Sequence, residues 1–310
     1  MRDGKWLMGD EERRARHARL LAVAEVLAAS LNGLSSQRLA ELVEAGALDG
    51  RTIPADDDAA WLDRGLAQVT AERIRFWEAE LGQLARRHVW MLDIADEGYP
   101  ANLRMIHNRP PFLMGRGSFG HDDERSVAVV GTRRPSDQGR RAAYELARQL
   151  AQRRVTVVSG LAEGIDTAAH IGALSAGGRT IAVFGTGIDV VYPATNRALA
   201  GAIARSGACV SQFWPSMRGA RWTFPVRNLV TSGLALGTVV VEAGETSGAR
   251  LQAEAALRHG KRVFLLRSLV RAQQWARDIA ARPDVVAVEA VDQIVSAVEV
   301  DLMTDTTVLV

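Results

Sequence analysis

Seven short apolar runs, at 127–130, 155–158, 180–184, 208–213, 238–242, 262–266 and 285–288, recur from Ser126 onward with helical segments between them. Each is mostly apolar rather than alternating, as strands covered on both faces are, so the succession predicts a doubly wound, mainly parallel, Rossmann-like α/β sheet. Gly or Ser follows each of the first three runs directly. In such open sheets ligands bind beyond the carboxyl ends of the strands, which makes the residues just after each run the candidate site.

Upstream the pattern differs. Residues 1–87 read as a small helical domain, with apolar stripes at Leu20, Leu21, Val23, Ala24, Leu27 and Leu31, at Leu39, Leu42 and Val43, and at Ile74, Trp77, Leu81 and Leu84. Asn32-Gly33 breaks the first pair, Pro54-Ala-Asp-Asp-Asp58 reads as an acidic loop, and Thr70 is placed to cap the last helix. Residues 88–124 read as a bridge: strand-like Val89–Ile94, a short helix after Tyr99-Pro100, extended Pro110–Met114, and a linker over Gly115 to Asp123. The sheet domain then occupies 125–310. A chain of 310 residues with 47% hydrophobic content can fill the cores this division requires.

After the first strand come Gly131, Thr132, Arg133 and Arg134. The glycine lets the backbone approach a ligand, the following helix start favours an anion, and Arg133 can grip phosphate. Equally, Gly131 can simply turn the chain and leave both arginines in water. After the second strand, Ser159 and Gly160 offer a hydroxyl and another close backbone approach, and Gly164 permits tight packing of the next helix. Tyr192-Pro-Ala-Thr-Asn196 reads either as a turn into a helix or as a stacking ring plus a polar contact from Asn196. The loop from Phe213 to Asn228 interleaves Trp214, Trp222 and Phe224 with Arg218, Arg221 and Arg227, a mixture suited to tracking a nucleic-acid backbone, although at least one of these rings is expected to pin the loop to the core. Asp166 and His170 share a helix face and are expected to be structural. Glu242 is expected to pair with an arginine of the pocket.

Several chemistries are excluded. No Gly-x-Gly-x-x-Gly follows the first strand, Gly185-Thr-Gly187-Ile-Asp189 lacks the third glycine, and no Walker A lysine is present, so neither a dinucleotide cofactor nor ATP hydrolysis is expected. The single cysteine, Cys209, rules out an internal disulfide or a cysteine zinc site, and Asp166 with His170 supplies too few metal ligands. Lysine occurs only as Lys5 and Lys261, and the net charge is +2, so any contact with nucleic acid must come from a local arginine cluster. Residues 1–5 lack a secretory pattern and no stretch reaches membrane-spanning length, from which a cytoplasmic location without membrane partners is expected.

Taken together, Val129-Val-Gly-Thr-Arg133, Val158–His170, Ala182–Asp189, Tyr192–Asn196, Phe224-Pro-Val-Arg-Asn228, Val240-Val-Glu-Ala243 and Ser247-Gly248 resemble the DNA-processing family called DprA or Smf. The resemblance covers about 88–266, with the helical N-terminus similar only in outline to the sterile-alpha-motif-like region of many members. It implies a non-enzymatic protein without catalytic residues, cofactor or metal. Such a protein binds and protects single-stranded DNA, forms a homodimer, and hands DNA to a RecA-type recombinase in natural transformation or recombination. By motif position it makes Arg133 the principal DNA contact, with Gly131, Thr132, Arg134, Ser159, Gly160, Asn196, Arg227 and Asn228 in the same pocket. The chain departs from the family where Arg227-Asn-Leu-Val replaces Arg-Asn-Arg-Ile, where Arg267-Ser268 replaces Pro-Gly, and in lacking room for a terminal winged helix. The alternatives on such a fold are a nucleotide sensor and a nucleotide phosphoribohydrolase, although the latter's Pro-Gly-Gly-x-Gly-Thr turn is not found.

Overall fold

The computed structural model describes residues 11–30, 36–46 and 67–308, and the chain divides into two units, Met1–Tyr99 with His107–Gly115 and Pro100–Ile106 with Arg116–Val310. Lys5 and the N-terminal pentapeptide, Leu31, the Asn32-Gly33 break and the acidic 54–58 loop lie outside the described residues.

In the first unit, helix α1 (Glu11–Ser30) carries Glu11 and Glu12 in its first turn, where acids complement the helix dipole. It buries Leu20, Leu21, Val23 and Leu27. Helix α2 (Ser36–Glu44) buries Leu39, Leu42 and Val43. Helix α3 (Ala71–Arg86) is capped by Thr70, whose hydroxyl accepts from Arg73 N–H at 3.2 Å, and it turns Trp77, Leu81 and Leu84 inward. Strand β1 (Trp90–Asp93) pairs antiparallel with β2 (Phe112–Gly117), setting Trp90 opposite Gly115. The absent side chain there makes room for the indole, since a Cβ on Gly115 would lie 2.2 Å from the ring.

The segment read as a linker is instead structured. Gly115 to Gly117 complete β2, and a 3-10 turn, His121–Glu124, buries Asp123. Its carboxylate receives both Arg179 Nε at 2.9 Å and Nη2 at 2.7 Å, and the Thr156 hydroxyl at 3.0 Å. A planar guanidinium fits a carboxylate in two places at once, so this stretch is fastened to the second unit's body rather than trailing from it.

The second unit holds the short helix α4 (Ala101–Arg104) and strands β3 (Ser126–Val130), β4 (Thr156–Ser159), β5 (Thr180–Val183), β6 (Ala208–Ser211), β7 (Gly237–Val240), β8 (Arg262–Leu266) and β9 (Val285–Val288). Each falls on one of the seven apolar runs. All pair in parallel in the order β6-β5-β4-β3-β7-β8-β9, with Val127 of β3 aligned to Val157 on one side and Gly237 on the other. The order runs outward from β3 in one direction, then returns to start outward in the other. The switch point therefore lies between the carboxyl ends of β3 and β7, which is where such sheets open a crevice.

The helices are α5 (Asp137–Gln152), α6 (Ile165–Ser175), α7 (Arg197–Ser206), α8 (Thr223–Leu234), α9 (Gly248–Arg258), α10 (Arg267–Ala272), α11 (Gln274–Ala280) and α12 (Val291–Val308). They cover both faces of the sheet. One core joins Val127, Val129, Val157 and Val239 to Leu146, Leu150, Ala169 and Ile294, and the other joins Val130, Val240 and Val263 to Ala253 and Trp275. Alternate residues of the same strand serve opposite cores, which is why the runs do not alternate apolar with polar. Several strands end earlier than their apolar runs. At the end of β6, for example, Ser211 turns its hydroxyl to Thr186 O at 2.6 Å and takes Phe213 N–H at 3.1 Å, which redirects the chain into the aromatic loop. No helix among the described residues is long and apolar enough to cross a membrane.

Candidate nucleic-acid interface

Beyond β3 the backbone threads between β7 and α6 at Gly131, where a Cβ would lie 2.5 Å from Ile165 Cγ1 and 2.8 Å from Glu242 O. Only glycine allows this approach. Thr132 N–H donates to Glu242 O at 2.7 Å, and Thr132 O accepts from Ile165 N–H at 3.2 Å. Gly164, at φ +83°, closes the same junction: a Cβ would lie 2.5 Å from Thr132 O and 2.7 Å from Arg133 O. The turns after β3 and β4 are thereby locked to each other. Arg133 and Arg134 project from this fixed base, both exposed.

These residues border a cleft of about 470 Å³ that also takes in Gly160, Phe224, Arg227, Asn228, Ser247 and Gly248. The Arg133 guanidinium carbon sits 5.2 Å from the centroid of the Phe224 ring, a cation–π distance that orients the side chain without neutralising it. Helix α9 begins at the same cleft, with Ser247 capping Ala249 N–H at 3.2 Å. The positive end of its dipole adds to the potential there.

Arg227 forms part of the floor. It is only 7% exposed, and its Nη1 donates to Gly160 O at 2.5 Å and Val183 O at 2.9 Å, while Nε donates to Asn228 Oδ1 at 3.2 Å. A Cβ at Gly160 would lie 1.7 Å from that Nη1, so any larger residue there would displace the guanidinium from its carbonyls. Nη2 makes no hydrogen bond among the described residues. Burial pulls the guanidinium below its ordinary value, and the neighbouring Asp166 carboxylate works against that. Asp166 is buried as well; burial pushes its carboxyl above the usual range while Arg227 and the N–H groups of Ala162 and Gly160 favour the anion. Those N–H groups lie 3.3 and 3.2 Å from its Oδ2. Together they make a cation held against carbonyls under a glycine, beside a carboxylate that fixes the β4 turn.

Two expected site residues lie outside the cleft. Ser159 is fully buried, and its hydroxyl donates to Val129 O at 2.7 Å, because the last residue of β4 turns its side chain toward the neighbouring strand. Asn196 is 8% exposed, and its amide donates to Leu161 O and to Thr167 Oγ1, each at 2.9 Å. It braces the same turn, where Leu161 adopts φ +61°. Glu242 also departs from expectation. Its carboxylate accepts the Ser136 hydroxyl at 2.7 Å and the Ser136 N–H at 3.0 Å, so it anchors the start of α5 instead of pairing with an arginine. Conversely, the cleft includes Thr231 and Leu251, which lie inside helices and follow no strand.

Asp166 and His170 are structural, as expected, and take different partners. The Thr180 hydroxyl donates to Val157 O at 2.7 Å and so accepts from His170 Nδ1, also at 2.7 Å. Burial, with Arg227 adding to it, pushes the His170 imidazole down to about 3 from an ordinary 6.5. Below pH 6.5 the unfolded chain takes up a proton that the folded chain refuses, so stability from this residue is complete above 6.5 and is lost progressively as pH falls toward 3. Chemical denaturation across that window should show this slope, and His170→Leu should flatten it.

In the first unit His17, Asp93 and Asp96 are close enough to hold a cation. Arginines take that role already: Arg16 reaches Asp93 at 2.7 Å and Asp96 at 2.6 Å, and Arg13 reaches Asp96 at 2.8 Å. Against burial, which pushes it up, the hydrogen bond and charge of His17, the Asp93 N–H and Arg13 hold the Asp96 carboxyl down to about 2. The Cys209 thiol is equally unreactive, since burial raises it to about 12.

A seven-stranded parallel unit whose switch-point cleft joins an exposed arginine, a buried arginine and two glycine turns is of the Rossmann-like, anion-binding class. The model of the family DNA recombination-mediator protein A matches residues 90–298, and the chain belongs to that family. DNA processing protein DprA of Streptococcus pneumoniae is 39% identical over 173 residues, which cover 56% of this chain and 61% of the relative. That of Bacillus subtilis is 34% identical over 174 residues, 56% of this chain and 59% of the relative. The matched region thus spans less than two thirds of these relatives' own length. Among solved structures, DNA processing protein A from S. pneumoniae superposes with a TM-score of 0.66 at 27% identity, over 96% of this chain and 98% of that one. DNA processing protein A from Helicobacter pylori, described for its single-stranded DNA binding mode, shares the fold with a TM-score of 0.61 at 24% identity, over 69% and 96%.

Proposed function

We propose that this chain binds single-stranded DNA through the β3/β7 cleft and acts as a recombination mediator. One observation carries the reading: Arg133 stands exposed at the cleft mouth against the Phe224 ring, so phosphate and base contacts are available side by side. Gly131, Thr132, Arg134, Gly160, Arg227 and Asn228 complete the phosphate cradle, while Ser159 and Asn196 support it from beneath. Protection of the strand, transfer to a RecA-type recombinase, a homodimer and a cytoplasmic setting in natural transformation belong to the same proposal and rest on family membership.

The phosphoribohydrolase reading finds less support. Asp166, the carboxylate lining the cleft, is committed to two backbone N–H groups, and Glu242 is committed to Ser136. A salt titration of oligo-dT binding tests the proposal. Log K should fall linearly with log salt, at about 0.7 per neutralised phosphate. Absence of binding to any oligonucleotide overturns the function, and release of adenine from AMP replaces it with hydrolysis.

A further inference from the structure

Two large rings beside the cleft remain open to solvent. Tyr192 is 54% exposed and Trp222 is 56% exposed, although neither is left loose. The Tyr192 and Phe224 ring centroids are 5.8 Å apart, and Phe224 in turn lies under Arg133. Trp222 meets the buried Phe213 edge to face, with centroids 5.9 Å apart and planes at 80°. It also serves as the N-cap residue of α8, the helix that carries Phe224 and Arg227. Held indole and phenol rings with half their surface in water are costly on a surface and are typical of sites that meet another π system. The loop leading to Trp222 adds Arg218 and Arg221, both exposed, so positive charges and rings are interleaved along this stretch of chain.

We infer that Tyr192 and Trp222 form a second, base-stacking track that continues the nucleic-acid path out of the cleft over the carboxyl ends of β5 and β6. The occupant is the same single strand, because Tyr192 abuts the cleft residue Phe224, Trp222 starts the helix that carries Phe224 and Arg227 into the cleft, and the charges flanking Trp222 are positive. The inference rests on the single-strand reading above. The cleft grips phosphates; the track takes bases without distinguishing them, since every base presents a π face. A duplex, whose bases are stacked internally, gains nothing from it.

The experiment measures binding of oligo-dT, from a trinucleotide upward, and of an abasic strand of the longest length. The proteins compared are wild type, the double variant Tyr192→Ala/Trp222→Ala, the ring-keeping variant Tyr192→Phe/Trp222→Phe, and Arg133→Ala. Long oligo-dT should bind the alanine pair more weakly by about five-fold or more for each ring lost, with the salt slope unchanged, because stacking releases no counterions. The trinucleotide and the abasic strand should bind wild type and alanine pair alike, and the phenylalanine pair should keep most of the affinity. Equal binding of long oligo-dT by wild type and the alanine pair, with Arg133→Ala still weak, overturns the track and leaves the cleft reading intact. A loss on the trinucleotide as large as that on the long strand also overturns it, since the rings would then belong to the cleft. Failure of every protein to bind any strand overturns the single-strand reading itself.

Discussion

Replacing Arg227 with methionine should destabilise the protein by about 3–5 kcal/mol, the usual cost of stranding a buried charge. The substitution keeps the apolar stem but removes the group that donates to Gly160 O and Val183 O. It also leaves Asp166 buried beside no cation, in a site where burial already works against its ionised form. Urea unfolding monitored by far-ultraviolet circular dichroism measures the loss. Asp166→Asn in the same background should recover part of it, because the neutral amide no longer needs a counter-charge. A loss below about 1 kcal/mol would show that Arg227 is not the keystone of the cleft floor.

Arg133→Ala should leave stability nearly unchanged, since the side chain is exposed, and should weaken oligo-dT binding by about ten-fold or more, as loss of a charge-assisted phosphate contact does. The loss should be uniform across sequences, and the slope of log K against log salt should flatten by about 0.7. Fluorescence anisotropy over a range of salt concentrations reads both quantities. Tight binding that ignores this substitution would move the site elsewhere on the molecule. The two arginines thus separate by assay: one is read in unfolding, the other in ligand binding.

Much of the second unit was legible because one physical requirement, strands buried on both faces, writes itself into sequence as short, mostly apolar runs without alternation. The switch point followed less directly, since strand order depends on which crossovers fold to which side. Gly131, Arg133 and Gly160 were legible through their position after a strand. Ser159 and Asn196 were misplaced because a polar residue after a strand looks the same whether it faces a ligand or a backbone carbonyl. Val129 O and Leu161 O, which take those two side chains, are invisible in the sequence. Glu242 failed for a related reason: its partner Ser136 lies 106 residues away and carries no charge to advertise the pairing. Leu251 and Thr231 carry no such signal either. Only the packing of α8 against α9 brings them to the cleft.

Thr132 is stitched by its N–H to the end of β7 and by its carbonyl to the start of α6. The arginine that follows is therefore mounted on a bracket bolted to two separate walls, and no ordering of the backbone remains to be done when a strand arrives. On the proposed single-strand reading, capture at this point should be a matter of encounter rather than of rearrangement, and the entropy that flexible arginine-rich segments surrender on binding has here been surrendered already, during folding.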